Sequence, residues 1–216
     1  MVIKGYGVTL VRVRHEHIEL IRNHRNSERI RSFMEFREDI TPDMQEEWFR
    51  KINNRNHGFY LIETEGVFIG MVNGRDIDWE KKTTGSGGIF IWDESWWNTA
   101  VPVAAVMLLI EISFILGLEY NYIRVLRNNT HAIDFNRQLG YRLQPGQNEL
   151  ENQEYLLTRE TYFESTATLR KFLQKRFGES FTCTISNLQD DMVQHLLQKA
   201  ESFTEAQRAQ FIIEHT

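Results

Sequence analysis

The spacing of apolar residues along the first half of the chain changes from a period of two to a period of about four, and then back. Alternation over Tyr6 to Val13 predicts a first strand. Helical spacing follows in two short pieces between His15 and Phe36. A further helix is predicted after Thr41-Pro42-Asp43, where threonine can cap free N–H groups and proline fits the first turn. Phe59 to Glu63 and Val67 to Asn73 then predict a hairpin.

The second half predicts strands and helices in alternation. A polar, glycine-rich stretch from Asp76 to Gly88 predicts a loop before an Ile89-Phe90-Ile91 strand, and Ala100 to Leu118 predicts a long apolar helix. Further strands are predicted at Tyr122 to Arg127, Tyr141 to Leu143 and Gln153 to Thr161. The resulting order, β-α-α-β-β-β-α-β-α-β-β, predicts an α/β (α+β) fold with a mixed central sheet of about seven strands flanked by helices.

Residues 163–216 lie beyond this order. Apolar residues at helical spacing predict three more helices there: one ended by Gly178, one around Met192, and one that includes Phe211 and Ile212. We therefore expect two units, a domain at residues 1–162 and a helical C-terminal appendage at residues 163–216. The appendage would pack on the domain or on a partner chain.

Composition narrows the class of protein. A chain of 216 residues with 41% hydrophobic and 12% aromatic residues is typical of a globular protein. The net charge of -5 gives no sign of nucleic-acid binding. Cys183 is the single cysteine, so an intrachain disulfide and a cysteine-rich zinc site are excluded, and no metal site is predicted. The N-terminus alternates like a strand and lacks the apolar core of a signal peptide, so we expect a cytoplasmic protein.

The apolar run from Ala100 to Leu118 is close to the length of a membrane span. Glu111 lies near its middle, where a carboxylate would cost roughly 3 kcal/mol on insertion scales. No cluster of lysine or arginine flanks the run, so its orientation in a membrane would be unspecified. We therefore predict a helix buried against the sheet and no membrane association.

The stretch from Gly87 to Tyr141 carries a family resemblance. It contains an apolar strand, the turn Asp-Glu-Ser-Trp-Trp-Asn-Thr, a long apolar helix and a second strand. A short helix that begins at Asn129 and a closing Gly140-Tyr141 follow. This order resembles the acyl-CoA-binding half of the GNAT acyltransferase superfamily, and the element order resembles that family over about residues 5–162. The resemblance implies a GNAT fold and acetyl-CoA as cosubstrate.

The resemblance also implies which residues hold the cofactor. Family members place a Gln/Arg-x-x-Gly-x-Gly/Ala loop at a helix N-terminus, where N–H groups and the helix dipole attract the pyrophosphate. The corresponding loop here runs from Trp97 to Pro102, and its Trp-Asn pair resembles variants found near ribosomal-protein N-terminal acetyltransferases. The residues implied in cofactor binding are Ile91, Trp92, Trp97, Asn98, Thr99, Ala100, Val101, Val103 and Asn129.

The chain departs from the family pattern at three positions. Ala100 and Pro102 replace the two loop glycines, and the proline supplies no N–H donor. Many GNAT enzymes protonate the departing thiolate with a tyrosine at the position that is Asn136 here, and asparagine cannot donate that proton. Asn129 alone is explained equally well as a helix N-cap or as a contact to the CoA arm.

Transfer to an amine requires removal of a proton, because a lysine-like amine has a pKa near about 10.4. Asp76, Asp78 and His131 are the candidate bases, and Asp78 is our choice for the catalytic residue. The alternative is that both aspartates are turn residues and that the histidine is a solvated helix residue.

The run from Asn23 to Met34 gives a finer resemblance. It is similar to the Trp-Arg-Asn…Ile-Arg…Met run of GNAT enzymes that acetylate amino sugars, with His24 in place of the leading tryptophan. Arg25, Arg29 and Arg31 would then meet the phosphates of a sugar nucleotide. A solvated basic helix face explains the same arginines.

Two classes of function follow. The first is an acyl-CoA-dependent N-acetyltransferase that acts directly on the primary amine of a small molecule, with an amino sugar or sugar nucleotide favoured. The second is a GNAT-fold binding or regulatory module with weakened or lost transfer, motivated by Ala100, Pro102 and Asn136. A protein or peptide N-terminal acetyltransferase is a narrower alternative, and a homodimer is compatible with each.

Overall fold

The computed structural model describes residues 1–31, 36–178, 182–185, 189–205 and 211–213. The helices among them are α1 (Ile18–Asn26), α2 (Glu28–Arg31), α3 (Pro42–Ile52), α4 (Val101–Ile115), α5 (Thr130–Gln138), α6 (Arg159–Phe177) and α7 (Asp191–Ala200). The strands are β1 (Val2–Gly5), β2 (Val8–Arg12), β3 (Gly58–Thr64), β4 (Val67–Asp78), β5 (Thr83–Ile91), β6 (Tyr120–Leu126), β7 (Arg142–Leu143), β8 (Asn152–Thr158), β9 (Thr182–Ile185) and β10 (Phe211–Ile213).

The strands form one mixed sheet in the order β10-β9-β1-β2-β3-β4-β5-β6-β8-β7. Two apolar clusters cover it. One joins α4, α5 and α6 to β1 and β6, and the other joins α1 and α3 to β2, β3 and β4. The predicted class, a mixed sheet flanked by helices, is confirmed, although the sheet has ten strands among the described residues.

The single N-terminal strand predicted from Tyr6 to Val13 is the second strand of a hairpin in the structure. The alternation from Tyr6 to Val13 hides a turn, because Tyr6 and Gly7 have φ values of 54° and 77° and join β1 to β2 as a hairpin. Glycine adopts this left-handed backbone at no steric cost. The pattern of alternation continues across such a turn, so hydrophobicity alone did not reveal it.

The predicted loop from Asp76 to Gly88 is mostly strand. β4 continues to Asp78 and β5 begins at Thr83, with register shifts between Asn73 and Asp78. Backbone hydrogen bonds to β4 hold β5 in the sheet although its residues are small and polar. The propensity of glycine for turns was therefore overridden by tertiary pairing.

Of the three helices predicted in the C-terminal segment, the one ended by Gly178 corresponds to α6 and the one around Met192 to α7, but the segment also contains strands that were not predicted. Strand β9 pairs antiparallel with β1, and β10, which includes Phe211 and Ile212, pairs parallel with β9. Cys183 and Ile185 of β9 are fully buried. α6 begins at Arg159 and therefore crosses the expected boundary at residue 162. The division into two units stays a prediction.

α4 lies in the core, as predicted, and Glu111 has hydrogen-bond partners there. The hydroxyls of Tyr6 and Tyr162 donate to this carboxylate over 2.9 and 2.8 Å, and Arg170 Nε donates over 3.1 Å. Three donors make a buried carboxylate tolerable in an apolar helix. Within the described ranges, no helix has the length and apolar character needed to cross a membrane.

Candidate functional site

The sheet opens between β5 and β6. These parallel strands pair only at Thr83 with Tyr120 and at Thr84 with Asn121, and then separate. The gap is the centre of a cleft of about 1280 Å³. A ligand that enters it meets strand backbone that has no strand partner on that side.

The cleft has two ends. The α4 end is lined by Ile91, Trp97, Asn98 and Pro102, and the α7 end is lined by Gly58, Gly74, Trp79 and Met192. The stretch of β5 from Thr84 to Ile91 separates them by roughly 23 Å, at about 3.3 Å per residue. The cleft is therefore long enough for two substrates that meet end to end.

At the α4 end, the connection to α4 presents unpaired backbone donors. The N–H groups of Asn98, Ala100 and Val103 have no hydrogen-bond partner among the described residues. Val101 N donates to Thr99 Oγ1 over 3.2 Å, and Pro102 has no N–H. Three unpaired donors at the start of a helix of 15 residues form an anion-binding arrangement.

The loop geometry accommodates the two residues that replace glycine. Ala100 is the N-cap of α4 with φ -73°, which any L-residue adopts, and Pro102 lies in the first turn. Trp97 Nε1 donates to the carbonyl of Ile91 over 3.0 Å and thereby fixes the start of the loop on β5. The missing glycines therefore cost the loop one donor but do not close it.

Only some of the residues predicted to bind the cofactor line the cleft. Ile91, Trp97, Asn98 and Asn129 line the cleft, whereas Trp92 does not. The Trp92 ring stacks on His24 at 4.3 Å, and its Nε1 donates to the carbonyl of Phe68. The remaining predicted residues, which are not among the described residues that line the cleft, are Thr99, Ala100, Val101 and Val103.

Asn129 fits both explanations offered by the sequence. Its Oδ1 accepts from Ala132 N over 3.1 Å and so caps α5, and the residue also lines the cleft. Asn136 lines the cleft as well, but its Nδ2 donates to the carbonyl of Ala132 over 2.8 Å. That bond holds Asn136 against its own helix.

Two tyrosine hydroxyls lie at the cleft for which the sequence predicted no role. Tyr122 of β6 and Tyr141 after α5 both line it, and neither hydroxyl has a partner among the described residues. Burial raises the pKa of Tyr141, so its hydroxyl stays protonated and can donate a hydrogen bond. Tyr122 belonged to no motif, and Tyr141 was noted only as part of the closing Gly140-Tyr141, so the tertiary structure was needed to bring both hydroxyls to the cleft.

The candidate bases lie in different places. His131 lines the cleft, whereas Asp76 and Asp78 line an adjoining depression of about 490 Å³ that shares Ile77 and Trp79 with the cleft. Asp78 Oδ1 accepts from the backbone N of Lys81 over 2.9 Å and from that of Glu80 over 3.1 Å. The pKa of Asp78 is lowered, mainly by the Lys81 backbone hydrogen bond and then by its ammonium. These contacts favour the turn-residue explanation, and the catalytic assignment of Asp78 stays an untested prediction.

Two arginines of the run from Asn23 to Met34 contact aromatic residues, one in β5 and one in the loop before α4. The Arg25 guanidinium lies 5.8 Å from the Phe90 ring centroid, and its Nη1 is buried without a hydrogen-bond partner in the described part of the chain. Arg29 lies over Trp97 at 5.1 Å and pairs with Glu94. The part of this run at residues 32–34 lies outside the described residues.

Charged side chains in the cleft are mostly basic. Among the described lining residues are Arg37, Arg75 and Arg124, against one carboxylate, Glu151. Arg124 also contacts Glu154 across the strands at 3.4 Å. The lining therefore favours ligands that carry negative charge.

The chain was compared with models of known protein families, and one model matches most of the residues that form the cleft. The acetyltransferase (GNAT) domain matches residues 8–142, which is more than half of the chain. A search of curated protein sequences found no significant match.

Solved structures share the fold at low sequence identity. Apo FdhC, described as a nucleotide-linked sugar GNAT, is 22% identical with a TM-score of 0.67, covering 80% of this chain and 98% of its own. The spermidine N-acetyltransferase from Vibrio cholerae, solved with CoA and spermine, is 20% identical with a TM-score of 0.62, covering 73% and 98%. RimL, a ribosomal L7/L12 alpha-N-protein acetyltransferase solved with CoA, is 13% identical with a TM-score of 0.61, covering 74% and 99%.

Proposed function

The chain belongs to the GNAT acetyltransferase family, and from this premise we propose that it transfers an acetyl group from acetyl-CoA to the primary amine of a small acceptor. The favoured acceptor is an amino sugar or a sugar nucleotide. The proposal rests on one observation above the others: three N–H groups without a partner among the described residues lie at the start of α4, beside the end of a cleft that opens between two parallel strands.

The α4 end suits the cofactor. The N–H groups of Asn98, Ala100 and Val103 would hold the pyrophosphate, and Asn129 would contact the CoA arm from α5. The pantetheine arm would then lie along the exposed backbone of β5, with the thioester directed away from α4. The CoA-bound structures of the spermidine N-acetyltransferase and of RimL, which share this fold, support acetyl-CoA as the cosubstrate.

The chemistry is a direct transfer. The neutral amine attacks the thioester carbonyl, the C–S bond breaks, and CoA leaves as the thiolate, while the amine loses a proton. Cys183 is buried in β9, and burial raises the pKa of its thiol to about 12, so it does not serve as a nucleophile. Asp78 is the base that the sequence predicts; a water chain in the cleft is the alternative that its contacts favour. Tyr122 and Tyr141 would supply hydrogen bonds to the reacting groups.

The charge of the lining supports the acceptor class. A polyamine would bring several positive charges to a cleft in which Arg37, Arg75 and Arg124 outnumber the one carboxylate among the described lining residues. A sugar nucleotide brings phosphates that arginine binds well. We therefore expect anionic amines to be preferred over spermidine.

Two measurements test the proposal. Acetyl-CoA at about 100 times its dissociation constant should stabilise the chain by about 2.7 kcal/mol, visible as a rise in melting temperature. Release of the CoA thiol is then followed with glucosamine, UDP-glucosamine, spermidine and an N-terminal peptide as acceptors. Turnover of spermidine alone would contradict the acceptor class, and turnover of the peptide alone would favour the protein N-terminal alternative.

The second candidate function is a GNAT-fold binding or regulatory module with weakened or lost transfer. Asn136 favours it, because its amide is bonded to the α5 backbone and cannot protonate the leaving thiolate. A thermal shift with acetyl-CoA, together with no thiol release from any acceptor, would support the module. No shift at millimolar acetyl-CoA would contradict the transferase and favour a module in which Ala100 and Pro102 have closed the phosphate site.

A further inference from the structure

Helix α7 is attached at the end of the cleft opposite α4. Asp190, the N-cap of α7, accepts from Arg12 Nε over 2.8 Å, and both side chains are buried. Arg12 also donates to the carbonyls of His57 and Asn54, which lie between α3 and β3. A buried ion pair with further hydrogen bonds fixes the start of α7 at that connection.

Two more contacts set the orientation of α7. Asp191 Oδ2 accepts from the backbone N of Arg55 over 2.8 Å, and the His195 ring lies 4.2 Å from the ring of Trp79. Trp79 Nε1 donates to the carbonyl of Arg55 over 3.2 Å. Because Trp79 lines the cleft, these contacts place one face of α7 against the cleft wall.

Met192 of α7 reaches the cleft itself. It is 2% exposed and lies among the residues that line the α7 end. Val193 and Leu196 of the same helix are fully buried but do not line the cleft. α7 lies beyond residues 8–142, which the family model matches, so this wall is an addition to the matched domain.

Given acyl-CoA at the α4 end, the amine must approach from the opposite direction. We propose that Met192 of α7 forms the back wall of the acceptor pocket and limits the size of the amines that the protein acetylates. The limit on acceptor size rests on the proposed transferase function. The position of Met192 at the cleft rests on the contacts of α7 alone. A flexible, apolar methionine at this position would contact the part of the acceptor that is distant from the amine.

Acceptor selectivity tests the consequence. Met192→Ala opens the pocket, whereas Leu196→Ala truncates a buried residue of the same helix that does not reach the cleft. With acetyl-CoA and glucosamine, glucosamine 1-phosphate or UDP-glucosamine, Met192→Ala should change the ratio of kcat/KM between the largest and smallest acceptors by about tenfold or more. Its KM for acetyl-CoA should stay within about twofold of the parent, because the α4 end is unaltered. Equal effects of the two variants on the acceptor ratio would overturn the proposal.

Thiol labelling tests the geometry without catalysis. The buried Cys183 should react slowly in the parent, so a thiol introduced by Met192→Cys provides a specific signal. Methyl methanethiosulfonate should modify Met192→Cys at least about tenfold faster than Leu196→Cys, because only the first opens onto the cleft. Equal rates would overturn the placement of α7. If Met192→Cys is labelled faster but the protein acetylates no amine, the position of Met192 at the cleft is supported and the transferase function is contradicted.

Discussion

The proposed phosphate loop can be tested by removing one donor without breaking a hydrogen bond. Ala100→Pro deletes the N–H of a residue whose φ of -73° already matches proline and whose N–H has no partner among the described residues. Ala100→Gly keeps the N–H at the same position and serves as the matched control. The two variants therefore differ in the donor, which is the feature in question.

The expected loss follows from the strength of one hydrogen bond to a charged group. Such a bond contributes about 1.5–3 kcal/mol, so Ala100→Pro should weaken CoA binding by about 10- to 150-fold. Ala100→Gly should weaken it by less than about fivefold, since only the extra backbone freedom of glycine, about 0.5–1 kcal/mol, opposes binding. Pro102→Ala, which adds an N–H, should strengthen binding if that group is directed at the phosphates.

Isothermal titration calorimetry with CoA and with S-acetylpantetheine, which lacks the pyrophosphate, separates the contributions. CoA should distinguish Ala100→Pro from Ala100→Gly, whereas S-acetylpantetheine should bind both alike. An unchanged melting temperature of the free variants would show that Thr99 tolerates a following proline. CoA affinity that is equal in the two variants would refute the assignment of this loop to the phosphates.

Three further predictions concern buried and titratable groups. Glu111→Ala should lower the free energy of unfolding by roughly 3–5 kcal/mol in urea titrations, because its three donors lose their acceptor; a loss below about 1 kcal/mol would contradict the network. Asp78→Asn should keep thiol release within about twofold if Asp78 only closes its turn, and lost turnover with intact CoA binding would establish it as the base. Burial lowers the pKa of His195, so the folded chain binds fewer protons than the unfolded chain and loses stability as pH falls through about 6.5. His195→Phe should reduce the fall in melting temperature between about pH 7 and about pH 5, the rest of which comes from His17, His24 and His57, and an unaltered slope would oppose this explanation.

Local pattern was sufficient for much of the fold. The helix that begins at Pro42 does so where threonine, proline and aspartate predict it, with Thr41 Oγ1 accepting from Met44 N. The long apolar helix, the strand after it and the cap at Asn129 also lie where the sequence predicts them. These features depend on residues within a few positions of one another, so periodicity and capping chemistry reveal them.

Pattern was misleading where pairing with distant residues decides the conformation. β5 is a strand because β4 supplies its hydrogen bonds, and β9 is a strand because β1 has a free edge next to it. No local signal in a glycine-rich or a short apolar segment announces such a partner. The loop predicted from Asp76 to Gly88 and the helix predicted to include Phe211 and Ile212, which lie in β10, were therefore wrong for one physical reason, that strand pairing is non-local.

The candidate site likewise has features that local sequence predicts and features that depend on distant residues. Capping chemistry within a few residues was enough to predict the cap at Asn129, and the family resemblance predicted the loop from Trp97 to Pro102 as the phosphate site, which stays a prediction. Only the tertiary structure decided that β5 and β6 separate, that Asp78 lies outside the cleft and that Met192 lies at its far end. A cleft is enclosed by segments remote in sequence, and their positions follow from packing and pairing rather than from the residues that each segment contains.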